Sequence, residues 1–187
     1  MNFYIADTHF GHENVIRFDH RPFATIEEHD EGLIQNWNSV VKDEDHVYIL
    51  GDFCFRNKKP VKEYTSRLKG HLHLIRGNHD KKNPEYESCF ESTHDYLSVP
   101  DEVFGVKKEI VLCHYWMPFV GIRKIMLYGH THIGSEYELE LRLKEELKRN
   151  HYPQNAYNVG CMHLGYYPRT IEEIVKREEI VNLVKPE

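Results

Sequence analysis

The sequence predicts an α/β fold with its chemistry at one edge of a sheet, on three observations. Five short apolar segments each run into a tight turn and then into Asp, Asn or His. They are Phe3-Tyr4-Ile5-Ala6-Asp7-Thr8-His9, Tyr48-Ile49-Leu50-Gly51-Asp52, Leu74-Ile75-Arg76-Gly77-Asn78-His79-Asp80, Ile110-Val111-Leu112-Cys113-His114 and Met126-Leu127-Tyr128-Gly129-His130-Thr131-His132. The first half alternates strand, helix, strand, helix, strand, the signature of a parallel sheet with crossover helices. Strands that all deliver polar residues at their carboxyl ends make one site, and open α/β sheets place their ligands at that edge.

The elements follow in order. Asn2 to Ala6 is the first strand. Phe10 to Asn14 reads as a loop, and Arg17, His20, Arg21 and Pro22 as an irregular basic segment, solvated rather than a phosphate-binding rim. Thr25-Ile26-Glu27-Glu28 is a capping box, and the helix it opens runs to about Val41 with Leu33, Ile34, Trp37, Val40 and Val41 on one face. Lys42 to Asp45 breaks the chain before the strand Val47 to Leu50. Pro60 suits the first turn of a second helix with Val61, Tyr64 and Leu68 on its apolar face, and Gly70 suits its stop. Leu72 to Ile75 is the next strand.

After Asp80 the segments shorten. Tyr96 to Val99, Val103-Phe104 and Glu109 to Cys113 read as strands joined by turns, and Ile125 to Tyr128 as another. Ser135 is the expected cap of a charged helix from Glu136 to about Arg149, a solvated face with a thin stripe of Leu139, Leu143 and Leu147. Ala156 to Val159 is a late strand, and the capping box Thr170-Ile171-Glu172-Glu173 opens a last helix. No linker or repeat interrupts residues 1–187, which predicts a single domain.

Composition narrows the class. Charged residues are 29% and hydrophobic residues 40%, ordinary for a globular protein. The start lacks a basic segment and cleavage site and no apolar run spans a bilayer, so the expectation is a cytoplasmic protein with no membrane partner. A net charge of −6 disfavours nucleic acid as a partner of the whole surface, though a local basic site stays allowed. The four cysteines form no C-x-x-C pair, against a zinc knuckle and for a reducing compartment. The oligomeric state is not readable.

The candidate ligands are Asp7, His9, Asp52, Asn78, His114, His130 and His132. In extended chain, residues i and i+2 point the same way, so Asp7 with His9, and His130 with His132, can share an ion or hold adjacent ones. Oxygen plus imidazole without thiolate suits Mn²⁺, Fe, Zn²⁺ or Ni²⁺ and suits Ca²⁺ poorly. Seven side chains exceed one tetrahedral ion and fit two ions that share a carboxylate, the clamp used for displacement at phosphorus. Such a clamp needs a proton donor for the leaving oxygen. His79, beside Asn78, is the candidate, with Asp80 placed to orient and charge it.

These five motifs, in this order, resemble those of the calcineurin-like metallophosphoesterases, from Asp7 to His132. Each motif alone is weak; the ordered set is specific. The resemblance implies a four-layer α-β-β-α sandwich, two mixed sheets flanked by helices. It implies Asp7, His9 and His132 on one ion, Asn78, His114 and His130 on the other, Asp52 bridging, and His79 as the acid on the substrate side. Asn158-Val159-Gly160 followed by Tyr166-Tyr167-Pro168 is similar to the small bacterial and phage members. One departure stands out. Phosphoprotein phosphatases of the superfamily carry Gly-Asp-x-x-Asp-Arg-Gly, where this chain has Gly51-Asp52-Phe53-Cys54-Phe55-Arg56-Asn57. The arginine is in register, but Phe55 replaces the aspartate, which argues against a protein phosphatase.

The expected function is therefore a hydrolase that uses two divalent transition-metal ions, Mn first, to cut a phosphodiester by attack of a metal-bridging hydroxide. The substrate is a small phosphoester or nucleotide, with Arg56 and His12 as candidate substrate contacts and His163 as a possible neighbour of the metals. A phosphomonoesterase is the alternative, and a silent metal-binding scaffold is less favoured because no ligand is missing. A metallo-β-lactamase-like enzyme would need His-x-His-x-Asp-His, which Gly129 to Gly134 does not supply.

Overall fold

The computed structural model describes residues 1–121, 123–152 and 155–184; Ile122, Pro153, Gln154 and residues 185–187 lie outside them. Two four-stranded sheets form the centre. The first holds β1 (Asn2–Ile5), β2 (His46–Ile49), β3 (His71–Ile75) and β4 (Ser92–His94) in sequence order, all parallel. The second holds β5 (Leu97–Val103), β6 (Val106–Leu112), β7 (Ile125–Tyr128) and β8 (Ala156–Asn158), with only the β5–β6 pair antiparallel.

Period-two alternation builds the layers. Phe3 and Ile5, Val47 and Ile49, and Leu72 and Leu74 face one way, into a core completed by Leu33, Ile34 and Trp37 of α2 (Ile26–Val40) and by Tyr64 of α3 (Val61–Thr65). Tyr4, Ala6, Leu50 and Ile75 face the other way and meet Val99, Val103, Ile110, Leu112, Ile125 and Leu127 of the second sheet. Sheet one is thus buried on both faces, which explains its near-continuous apolar runs. The outer face of the second sheet, Met126 and Tyr128, lies under α5 (Ser135–Arg149). Helix, sheet, sheet, helix is the four-layer order expected. The last helix, α6 (Ile171–Val184), puts Ile171, Ile174 and Val175 into the inter-sheet core.

Both caps form, with one difference. Thr170 and Glu173 satisfy one another reciprocally, whereas Thr25 accepts from the Glu28 N–H while Glu28 reaches one residue beyond the cap, to the Ala24 N–H.

Several elements differ from expectation. Glu13–Phe18 is a helix, α1, where a loop was expected, and a further short helix, α4 (Pro84–Glu87), precedes β4. β5 runs unbroken from Leu97 to Val103 because Pro100 sits on an edge strand, where the missing N–H costs no ladder bond. Ser135 does not cap α5; Gly134 is its N-cap, with no side-chain bond. Leu139 and Leu143 are half exposed, and α5 docks instead through buried Glu140, which accepts from the Tyr128 and Thr131 hydroxyls, and Lys144, which donates to the Tyr128 hydroxyl and the Ala156 carbonyl. Polar pairing anchors this helix, so its apolar stripe was a false guide to the inward face. No described helix is long and apolar enough to cross a membrane.

Trp37 ties α2 to the sheet, fully buried and donating from Nε1 to the Lys69 carbonyl at 2.9 Å. Trp37→Ala should lower unfolding free energy by about 3–5 kcal/mol, and Thr25→Ala by about 1 kcal/mol, as read by urea unfolding.

Candidate metal centre

Parallel strands end together, so the turns after β1, β2 and β3 lie side by side, and the segments after β6 and β7 face them. Backbone bonds suture the two sheets at this edge. The Ala6 N–H donates to the Val159 carbonyl and the Cys161 N–H to the Ala6 carbonyl, both at 2.8 Å, while the Asp7 N–H donates to the Gly51 carbonyl at 3.0 Å and ties the ends of β1 and β2 within the first sheet. Four candidate ligands adopt the left-handed conformation: Asp7 (φ 54°), His9 (φ 50°), Asp52 (φ 53°) and His130 (φ 72°). That conformation is uncommon for residues other than glycine and clusters at functional sites. Packing leaves no spare room. A Cβ on Gly51, itself at φ 87°, would lie 2.3 Å from His114 Nδ1, and one on Gly77 would lie 2.3 Å from Asp52 Oδ1. The glycines of these motifs are there because the next ligand occupies the place of their side chain.

The geometry brings all seven candidate ligands together around Asp52. Its Oδ2 lies 3.8 Å from His9 Nε2 and 3.6 Å from His114 Nε2. His9 Nε2 and His132 Nε2 are 3.3 Å apart, and His132 Nε2 is 3.7 Å from Asp7 Oδ1. On the other side Asn78 Oδ1 is 3.0 Å from both His114 Nε2 and His130 Nδ1. Asp7, His9 and His132 form one cluster of metal-ligand geometry, and Asp7, Asp52 and His114 an adjoining one.

The protons around these rings decide what the clusters can hold. His114 Nδ1 lies 2.8 Å from the Leu50 carbonyl, an acceptor only, so it carries the proton and Nε2 presents a lone pair inward. His132 Nδ1 lies 2.8 Å from Asp19 and is held the same way. These inward lone pairs face carboxylate oxygens: acceptors meet acceptors, an arrangement that a cation between them satisfies and that protein groups alone do not. The donor set is oxygen and nitrogen. Cys161 directs its thiol to the Asp7 carbonyl rather than to the carboxylate. The residues therefore fit divalent transition metals.

Without cations the site is under electrostatic load. Burial pushes the Asp7 carboxyl up to about 6 and holds His9 well below the usual imidazole range. Burial also pushes Asp19 up, but the His132 hydrogen bond and Arg21 outweigh it and its carboxyl falls below the usual range.

The surrounding residues divide. Asp80 was expected beside His79 to orient it. Instead its oxygens accept from the Asp52, Phe53 and Gly77 N–H groups and from the Tyr86 hydroxyl, at 2.6 to 3.1 Å. It clamps the second and third motif loops to each other. His79 stands at the rim, its Nε2 4.0 Å from Asp52 Oδ2 and its ring 3.7 Å from the Phe55 ring. His12 is buried, also against Phe55, and burial pushes it down to about 4. Arg56 lies over the outer side of Phe55. His163 reaches the Thr131 carbonyl and Tyr137 rather than either cluster.

Arg21 was expected in a solvated loop and is buried. It donates to Asp19 and to the carbonyls of Asp7 and Thr8, and its Nη1 lies 2.8 Å from His29 Nε2. His29 Nδ1 meets Asp30, which accepts from the Gly11 N–H. Asp30, His29, Arg21, Asp19 and His132 thus form one buried polar chain from α2 to the metal centre. Sequence reasoning missed Asp19, His29 and Asp30, which no local pattern marks; Phe55 was noted only as a departure from the phosphatase motif, not as a packing partner of His79 and His12.

Comparison with known proteins agrees with this geometry. The chain is 31% identical over 185 residues to the uncharacterized protein MJ1445 of Methanocaldococcus jannaschii, covering 97% of this chain and 93% of that one. It is 28% identical to the gene 66 protein of mycobacterium phage L5, over 97% and 92% of the two chains. Among solved structures, the protein of unknown function AQ665 from Aquifex aeolicus superposes with a TM-score of 0.67 at 26% identity, over 94% and 98% of the chains. No family model matches. The chain belongs to one family with the Methanocaldococcus jannaschii protein, and its five ordered motifs resemble those of the calcineurin-like metallophosphoesterases. In this chain the buried His and Asp clusters lie where the ends of the two sheets meet.

Two outcomes follow. Asp19→Ala should weaken metal binding by about 10- to 100-fold while leaving secondary structure intact, as measured by metal titration beside circular dichroism. The raised Asp7 carboxyl stabilises the metal-free fold only while protonated, so that contribution is complete below about 4 and lost as pH rises through about 6. Melting temperatures of the metal-free protein should carry this fall, and Asp7→Asn should lack it.

Proposed function

We propose that this chain hydrolyses phosphodiesters at a two-metal centre. The carrying observation is the convergence of seven oxygen and imidazole donors, from five strand ends, around the single carboxylate of Asp52. In this assignment Asp7, His9 and His132 would hold one ion and Asn78, His114 and His130 the other, with Asp52, near both His9 and His114, available to either. Two bound divalent ions, Mn²⁺ first, would supply Lewis-acid polarisation of the phosphate and a nucleophile derived from water.

The protein groups do the rest. Asp19 and the Leu50 carbonyl keep His132 and His114 in the tautomer that offers Nε2 to the site. Asp80 keeps the Asp52 and Asn78 loops in register from behind. His79, at the open side and stacked on Phe55, is placed to give a proton to the departing oxygen. His12 and Arg56 border a cavity of about 230 Å³ that Asn14, Lys58 and Lys59 also line. That cavity has room for the part of a substrate beyond the reacting phosphate.

The balance of charge favours a diester. A phosphomonoester brings two negative charges and is helped by cations at the metals. Here Arg21 is already committed to Asp19 and to backbone carbonyls, and Phe55 stands where phosphatases carry an aspartate. A diester has one charge and a second ester group that needs space, which the cavity provides. The alternative, a monoesterase on nucleotides, draws support from Arg56, Lys58 and Lys59 around the same cavity.

The deciding experiment sets bis-p-nitrophenyl phosphate against p-nitrophenyl phosphate, with Mn²⁺ and with EDTA. Chelator-sensitive turnover of the diester with little of the monoester is expected; the reverse preference would overturn the diester assignment. His79→Gln should lower kcat by about 10²- to 10⁴-fold with metal content unchanged. Asp52→Asn should abolish metal-dependent turnover, and if turnover survives, the two-metal assignment is wrong.

A further inference from the structure

Sheet one has a second cluster of metal-binding side chains, at the opposite end of its strands. His46 opens β2, and His71 and His73 lie on β3 in register with it: His46 pairs with His71, and Tyr48 with His73. Alternation along the strands sends all three imidazoles to one face. They are stacked in file. The His71 and His46 rings are 4.9 Å apart, His46 and His73 5.2 Å, and His73 and Tyr48 4.9 Å. Glu91 joins them because its N–H donates to the Leu72 carbonyl, which seats it beside β3 just before β4.

From this geometry we infer a further metal site, with His46 Nδ1, His73 Nε2 and a Glu91 carboxylate oxygen as ligands for a divalent transition metal such as Zn²⁺. One ligand atom from each of these three residues lies within 4.8 Å of the other two. Two imidazoles and one carboxylate are a common protein donor set for Zn²⁺, with water in the fourth position. His46 Nδ1 and His73 Nε2 are 2.9 Å apart, so in the metal-free chain one proton is shared between them. Tetrahedral zinc with nitrogen ligands needs about 3.3 Å between them, so the ion takes the place of that proton after a shift of a few tenths of an ångström.

Partners behind the ligands make this a built arrangement rather than a chance gathering of histidines. His73 Nδ1 lies 2.8 Å from the Ser92 hydroxyl, which turns Nε2 toward His46. His71 Nδ1 lies 2.5 Å from Glu91 Oε2, which orients the carboxylate. Outer partners of this kind align and tune metal ligands. His46 and His73 are half-buried while Glu91 is exposed, so the site opens to solvent on one side. An ion here would pin β2 and β3 to the start of β4, stapling the edge of sheet one without touching the catalytic end. The site depends on nothing in the proposed hydrolysis.

The test counts ions. Equilibrium dialysis of the whole chain against Zn²⁺, read by elemental analysis, should find one equivalent fewer in His46→Gln and in His73→Gln than in the wild-type chain. Turnover of bis-p-nitrophenyl phosphate should be unchanged in both. Glu91→Gln, an exposed change that leaves the core alone, should weaken that last equivalent by about tenfold or more while its melting temperature in EDTA matches wild type. Added Zn²⁺ should raise the melting temperature of the wild-type chain further than that of any of the three variants. Equal zinc content in wild type and variants would overturn the site, as would an equal thermal response.

Discussion

Two carboxylates, Asp7 and Asp52, are buried side by side where the two sheets meet, and much of the molecule serves to hold them there. Among the described residues neither forms an ion pair with a lysine or arginine; what faces them is imidazole and backbone N–H. His130 N–H donates to Asp7 and His79 N–H to Asp52. Backbone donors alone do not neutralise two buried charges, and burial accordingly raises Asp7 toward its protonated form. The fold therefore builds in a demand for cations, which makes metal binding a matter of stability as much as of chemistry.

The same demand explains the shape of the turns. Each strand must end, reverse its direction and present a side chain inward within two or three residues. The left-handed conformations of Asp7, His9, Asp52 and His130 accomplish this at a cost of roughly 1 kcal/mol or more each. Backbone bonds between Ala6, Val159 and Cys161 lock the two sheets at that edge, and Asp80 locks two of the loops. The strain is local and the restraint is distributed, so the ligands arrive preorganised.

The mouth of the site has a different character from its floor. Phe55 is packed between His79, His12 and Arg56, an aromatic hinge among polar groups. Its ring limits how far His79 can swing and holds Arg56 toward solvent. The residue that departs from the phosphatase pattern is thus also the one against which His79, His12 and Arg56 pack.

The candidate ligands were legible from the sequence because each belongs to a local grammar: an apolar strand, a glycine or tight turn, a polar residue. Capping boxes at Thr25 and Thr170 were legible for the same reason, since their partners lie three residues away. The parallel order of the first sheet followed from the alternation of elements. What tertiary structure alone decided depends on contacts across the chain. Asp19 meets His132 from 113 residues away, and a charged residue in an Asp-His-Arg loop looks solvated until its partners close around it. Asp80 sits next to His79 in sequence, yet its oxygens turn to the loop 27 and 28 residues earlier, because buried backbone N–H groups there need an acceptor. The inward face of α5, expected to be solvated, was likewise set by Tyr128 and Thr131, whose hydroxyls donate to Glu140. Local pattern determined which residues could bind metal. Long-range satisfaction of buried polar groups determined which residues would hold them in place.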